Sequence, residues 1–121
     1  MRHIVSGIEV EFGVQCELEY VCDYPPLYND PDVTAKVAEI LRGAKDKDIT
    51  SVKEYPAMPP SEDFAYYAKA FPSCFFFISC SPKGVENPYY NHNPKFDIDE
   101  DALLVAAKAV GYVVCGFDDI K

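Results

Sequence analysis

Ten prolines in 121 residues constrain this chain more than any other feature, because they fall in clusters that divide it into short pieces. Each proline fixes its own φ and removes a backbone donor, so it sits neither inside a helix nor in the middle of a ladder. Pro25 and Pro26 form one rigid connector, and Pro56, Pro59 and Pro60 form another. Pro88 and Pro94 bracket a third stretch and bias Asn87 and Asn93 away from the helical region. Regular structure is therefore confined to the segments between these points. At this length one ordinary domain is expected and two full ones are not.

The apolar period of each segment predicts its structure. Ile4, Val5, Ile8 and Phe12 recur at helical spacing before Gly13. Val14, Cys16, Leu18 and Tyr20 then alternate with Gln15, Glu17, Glu19 and Val21, the period of a strand with an acidic outer face. Asp30 and Pro31 are a capping acid and a first-turn proline, opening a helix that buries Val33, Val37, Ile40 and Leu41 and stops at Gly43. Residues 49–55 carry the β-branched side chains of a strand. Ser61 caps a third helix with Glu62 and Asp63 in its first turn. Cys74-Phe75-Phe76-Phe77-Ile78 is apolar without alternation, as in a central strand covered on both faces. A last helix from about Glu100 turns Leu103, Ala106, Ala107, Val110 and Val114 toward the core. The alternation of helix and strand is that of the α/β class. The break at residues 22–29 is a candidate domain boundary, and the roughly twenty residues before it are too few to be stable alone.

Composition excludes several functions. Apolar residues make up 49% and aromatics 14%, enough to build a packed interior. A net charge of −9 argues against a nucleic-acid partner, which needs a basic face. The five cysteines, Cys16, Cys22, Cys74, Cys80 and Cys115, form no CxxC pair, which favours reduced thiols and a cytoplasmic location over a disulfide frame or a zinc knuckle. The N-terminus lacks the apolar core of a signal peptide and no stretch is long enough to span a bilayer, so no membrane partner is expected.

His92 is the residue best placed for chemistry. It lies in Tyr89-Tyr90-Asn91-His92-Asn93-Pro94, a stiff turn between apolar segments that can hold an imidazole in one orientation, as a metal ligand or general base requires. A loop histidine that only hydrogen-bonds its neighbours fits the same residues. Asp97, Asp99 and Asp101 imitate the start of a calcium loop, but Ala102 and Lys108 stand where that loop needs glycine and a bidentate glutamate. These acids suit the cap and first turn of the last helix instead. No G-x-S-x-G elbow, complete triad or glycine-rich phosphate loop is present.

Five motifs in register carry a resemblance over nearly the whole chain: Tyr24-Pro25-Pro26, Asn29-Asp30-Pro31, Ser61-Glu62-Asp63-Phe64-Ala65-Tyr66-Tyr67, the aromatic strand between Pro72 and Ile78, and the run from His92 through Pro94 and Phe96 to Leu103. In order and spacing they resemble the C-terminal end of metal-dependent amidohydrolases of the aminoacylase and hippurate-hydrolase group, zinc exopeptidase-like enzymes that include N-acetyl-diaminopimelate deacetylases. The resemblance implies an α/β fold in which residues 1–21 are the last helix and strand of a lid or dimerisation domain. Residues 22–121 are then the C-terminal part of an incomplete three-layer catalytic domain.

It also implies hydrolysis of the amide bond of N-acyl amino acids at a two-metal centre of Zn, Mn, Co or Ni, with His92 as the last metal ligand. The general base and the other ligands are expected outside this chain, which alone is expected to be inactive and to bind no metal stably. Glu62 and Asp63 match a turn that supports the site, although helix-start electrostatics explains them equally well. Pro60 stands where the family often has glycine, and Ser79-Cys80-Ser81 replaces a glycine-containing turn; both bear on substrate fit. The alternative is a non-catalytic α/β module that associates with itself, and uncovered faces predict a homo-oligomer on either reading.

Overall fold

The structure, a computed structural model, describes residues 1–59 and 61–118. It contains four helices: α1 (Arg2–Phe12), α2 (Pro31–Gly43), α3 (Phe64–Ala70) and α4 (Asp101–Asp118). Three of these begin or end as the residue types dictate. Helix α1 stops where Gly13 takes φ 64°, and the Gly13 N–H donates to the Glu9 carbonyl at 3.0 Å. At the start of α2, the Asp30 carboxylate accepts the N–H groups of Asp32 and Val33 at 3.1 and 3.0 Å, with Pro31 in the first turn. Before α4, the Asp99 carboxylate accepts from Asp101 N–H at 3.1 Å and its carbonyl from Ala102 N–H at 3.0 Å, which is the capping role expected of the acidic run. The Ser61 cap is displaced: α3 begins two residues later, with Asp63 at its N-cap and the Glu62 carboxylate accepting from Phe64 N–H at 3.3 Å.

The core is the seam between α2 and α4. Val37 and Leu41 of α2 meet Ala109 of α4, and Ile49, Val52, Cys74, Phe76 and Ile78 close over them. The α2 stripe is the predicted one, with Val33 and Ile40 half-buried beside it. For α4 the expected face is wrong in part. Ala102 and Ala109 are buried and Tyr112, Val113 and Phe117 half-buried, while Leu103, Val110 and Val114 are exposed. This helix is apolar all round, so periodicity cannot select a side; the small residues do, since they let two helix backbones approach. Two polar ties fasten the seam. The Lys36 ammonium donates to the Phe117 carbonyl at 3.2 Å and lies 4.2 Å from that ring, near the negative end of α4. Lys108 is paired with Asp46 and Asp48 at 3.1 and 2.5 Å.

Among the described residues no strand is assigned, so of the expected α/β alternation the structure displays the helices, joined by irregular segments. Residues 14–21, 49–55 and 74–78 carry no strand. A strand exists only by exchanging backbone bonds with a neighbour, and among the described residues none of the three segments exchanges such bonds with another, although Tyr55 and Phe77 bring their rings to 6.4 Å. Residues 74–78 come closest. Their neighbour is the connector after Pro26, through Asp30 N–H to the Ser73 carbonyl at 2.9 Å and through the Asn29 side chain.

Two outcomes follow. A Cβ on Gly116 would lie 2.9 Å from Ile40 Cγ2, an atom on a stiff branched side chain, whereas one on Gly111 meets nothing within 4 Å. Urea unfolding should show Gly111→Ala stabilised by about 1 kcal/mol from helix propensity. Gly116→Ala should be destabilised, because overpacking of about 1–3 kcal/mol exceeds that gain.

The Lys108 network also gives a pH dependence. Asp46 is held below its ordinary 3.8, first by the Asp48 N–H and then by Lys108, so its contribution is present above that value and lost as pH falls through the lowered one. Lys108 is held above 10.5 by Asp48 and Asp46, so its contribution is present below 10.5 and lost as pH rises through the raised value. Lys108→Met should shrink the alkaline edge of a stability–pH profile and make the acid edge shallower.

Candidate functional site

The loop between residues 79 and 100 is closed at its base and shaped at its tip. At the base, Asp99 N–H donates to the Cys80 carbonyl at 2.9 Å. Lys83 bridges Asp99 and Asp101 at 3.2 and 2.7 Å, and both carboxylates hold its pKa above the usual lysine value, Asp101 the more strongly. Lys83 is 76% exposed, so this clamp fixes the geometry of the loop more than its stability.

At the tip, Asn93 N–H donates to the Tyr90 carbonyl at 3.2 Å, which makes His92 the third residue of a tight turn. Its φ is 71°, and it is the only described residue other than glycine with a positive φ. A type II turn takes a positive φ at that position and ordinarily fills it with Gly or Asn. A second turn follows at once. The Asn93 side-chain oxygen accepts from Lys95 N–H and its carbonyl from Phe96 N–H, both at 2.9 Å, with Pro94 between them setting the bend. The Lys95 ammonium lies 5.6 Å from the Tyr89 ring and closes the tip.

His92 is exposed, so its imidazole is not part of the hydrophobic interior. The backbone at His92 is in a conformation that costs a side-chain-bearing residue on the order of 1 kcal/mol or more, which persists only where the surrounding turns enforce it. Such outliers concentrate at functional positions.

No three imidazole, carboxylate or thiol groups converge among the described residues. His92 is a single donor, and a catalytic metal site takes about three protein ligands, so these residues alone do not make up a coordination sphere. Glu62 and Asp63 are not hydrogen-bonded to His92; Glu62 holds the start of α3 and Asp63 is exposed at its N-cap. Pro60 lies outside the described residues. Ser79-Cys80-Ser81 is described, and its Cys80 carbonyl is the acceptor at the loop's base.

Three residues to which the sequence reading gave no role of their own position this region. Asn29 forms a two-point bond to Phe75, its amide donating to the carbonyl and accepting the N–H, both at 2.8 Å. It acts as one residue of a neighbouring strand would. The Tyr66 hydroxyl donates to the Asp23 carbonyl, and its ring lies 6.0 Å from that of Tyr24, which seats the proline connector on α3. Lys83 is the third. Asn29 adjoins a recognisable cap, but nothing in the spacing shows that Lys83 meets Asp99 and Asp101.

Comparison with known proteins identifies the family. The model of peptidase family M20/M25/M40 matches residues 3–115. Thermostable carboxypeptidase 1 of Saccharolobus solfataricus is 33% identical over 120 residues, 98% of this chain and 29% of its own length. A putative amidohydrolase, YhaA of Bacillus subtilis, is 35% identical over 108 residues, 88% of this chain and 26% of its own. An N-acetyldiaminopimelate deacetylase of Brevibacillus brevis is 32% identical over 110 residues, 91% of this chain and 27% of its own. No solved structure matches significantly. The chain thus spans under a third of the relatives it matches. With the family model running from residue 3 in α1 to Cys115 in α4 and covering the whole histidine loop, the chain belongs to peptidase family M20/M25/M40.

Proposed function

We propose that this chain is one part of a metal-dependent amidohydrolase acting on the amide bond of N-acyl amino acids, and that His92 is one of the ligands of its two-metal centre. The observation that carries this reading is the left-handed backbone at His92, held between two turns on a loop closed by Cys80 and Lys83. That geometry fixes the direction in which the Cβ of His92 leaves the loop, and the imidazole it carries is a suitable ligand for the transition metals of such a centre. On this reading residues 1–21 belong to a lid or dimerisation domain and residues 22–121 to the catalytic domain. The Tyr24-Pro25-Pro26 connector is the passage between them, steadied by Tyr66 and Asn29. Glu62 and Asp63 support the site indirectly, by setting where α3 starts. The general base and the remaining ligands come from polypeptide outside this stretch, and the chain alone is inactive. The names of the relatives, amidohydrolase, deacetylase and carboxypeptidase, support hydrolysis of an amide bond next to an amino acid.

The test is turnover of an N-acyl amino acid, with zinc or manganese added, by the chain joined to the part of a relative that it does not match. Activity should appear in the joined protein and not in the chain alone. His92→Ala should lower it by more than the roughly 10- to 100-fold that loss of an outer-shell partner costs. Turnover indifferent to that substitution would remove His92 from the centre. A second outcome needs no activity. Because the imidazole sits at positive φ, His92→Gly should raise the unfolding free energy of the chain by about 1 kcal/mol, and His92→Val should lower it.

A further inference from the structure

Helix α4 has two apolar faces, and among the described residues only one of them is covered. Between Asp101 and Asp118 its single charged residue is Lys108. One face lies on α2. On the other, Leu103, Ala107, Val110 and Val114 recur at helical spacing with Leu104 and Gly111 beside them, all exposed, Leu103 at 62% and Val114 at 63%. A helix that is apolar all round belongs to an interior.

The size of the uncovered surface restricts the occupant. The chain exposes 10462 Å². A compact monomer of 13.6 kDa exposes about 6,600 Å², so roughly 3,900 Å² is in excess. A standard interface covers about 800 Å² on each partner, far less than this. The excess is also spread over several elements. Helix α1 has no buried residue and residues 10–24 are exposed throughout, so one self-complementary patch leaves most of it bare. The relatives, of which this chain spans 26–29%, carry more than twice its length in further polypeptide.

We infer that the face of α4 bearing Leu103, Ala107, Val110 and Val114 is an internal interface, covered by an apolar face of the polypeptide that family members carry outside the matched stretch, not by a second copy of this chain. The inference rests on the reading of the chain as one part of a larger hydrolase, and it adds which surface joins the parts.

The test mixes the full chain with the separately produced part of the Saccharolobus carboxypeptidase lying outside the match, and follows mass by light scattering and α4 by hydrogen exchange. A one-to-one complex should form, with amide exchange in α4 slowed about 10-fold or more. Val110→Glu and Val114→Lys should each weaken association at least 10-fold with helix content unchanged by circular dichroism. Glu39→Gln, on the solvent side of α2, should leave it unaltered. Dimerisation of the chain alone that Val110→Glu abolishes would overturn the inference in favour of a second copy. Failure to form a complex, or a complex indifferent to Val110→Glu, would overturn it outright. A complex docked through α4 that hydrolyses no N-acyl amino acid would uphold the interface and defeat the proposed function, so the two readings fail separately.

Discussion

The order in this chain depends on how closely α2 and α4 approach. Ala109 lies against Val37 and Leu41, and Gly116 leaves its neighbour Ile40 no room for an added Cβ. Without that seam the aromatic segment after Ser73 would have nothing to lie on, because Cys74, Phe76 and Ile78 pack against the same cluster. The histidine loop would lose both its ends, since one continues from that segment and the other enters α4. The seam is narrow, made of small residues on one side and two aliphatic side chains on the other. Its polar ties, Lys36 to Phe117 and Lys108 to two aspartates, are therefore placed where they resist shear between the helices.

What the sequence disclosed and what it withheld divide along the range of the interactions. Helix α2 was legible because Asp30, Pro31 and the Val37–Leu41 spacing are local signals that agree with one another. The turn at His92 was legible as stiff because Pro94 acts on its immediate neighbour, but not as left-handed. That conformation arises from hydrogen bonds between Tyr90 and Asn93 and between Asn93 and Phe96, which no propensity records for a histidine. The side of α4 that faces α2 was not legible, since Leu103 and Val114 are as apolar as Val113 and Phe117; backbone proximity, favouring Ala109 and Gly116, made the choice. That no strand is assigned among the described residues has a related reason. Alternation in residues 14–21 reports a preference for pairing, while pairing needs a second backbone that the described residues do not supply.

Function followed the same division. Motif order indicated the family, which the match over residues 3–115 shows. The site itself is a shared property of several segments. On the proposed reading His92, on its shaped loop, is one donor of that site, while Glu62 and Asp63, adjacent in the motif, turn out to manage the first turn of α3.

The pairing of Asn29 with Phe75 has a practical consequence for handling this chain. The amide satisfies the backbone of one residue in Cys74-Phe75-Phe76-Phe77-Ile78 and leaves the backbone groups of Phe76 and Phe77 without such partners among the described residues. A short uncharged aromatic run in that condition is a template for cross-β stacking. Fibril formation seeded at Phe76 and Phe77 is thus the failure this fold invites at high concentration, and Asn29, by keeping one rung of that template occupied, acts as its gatekeeper.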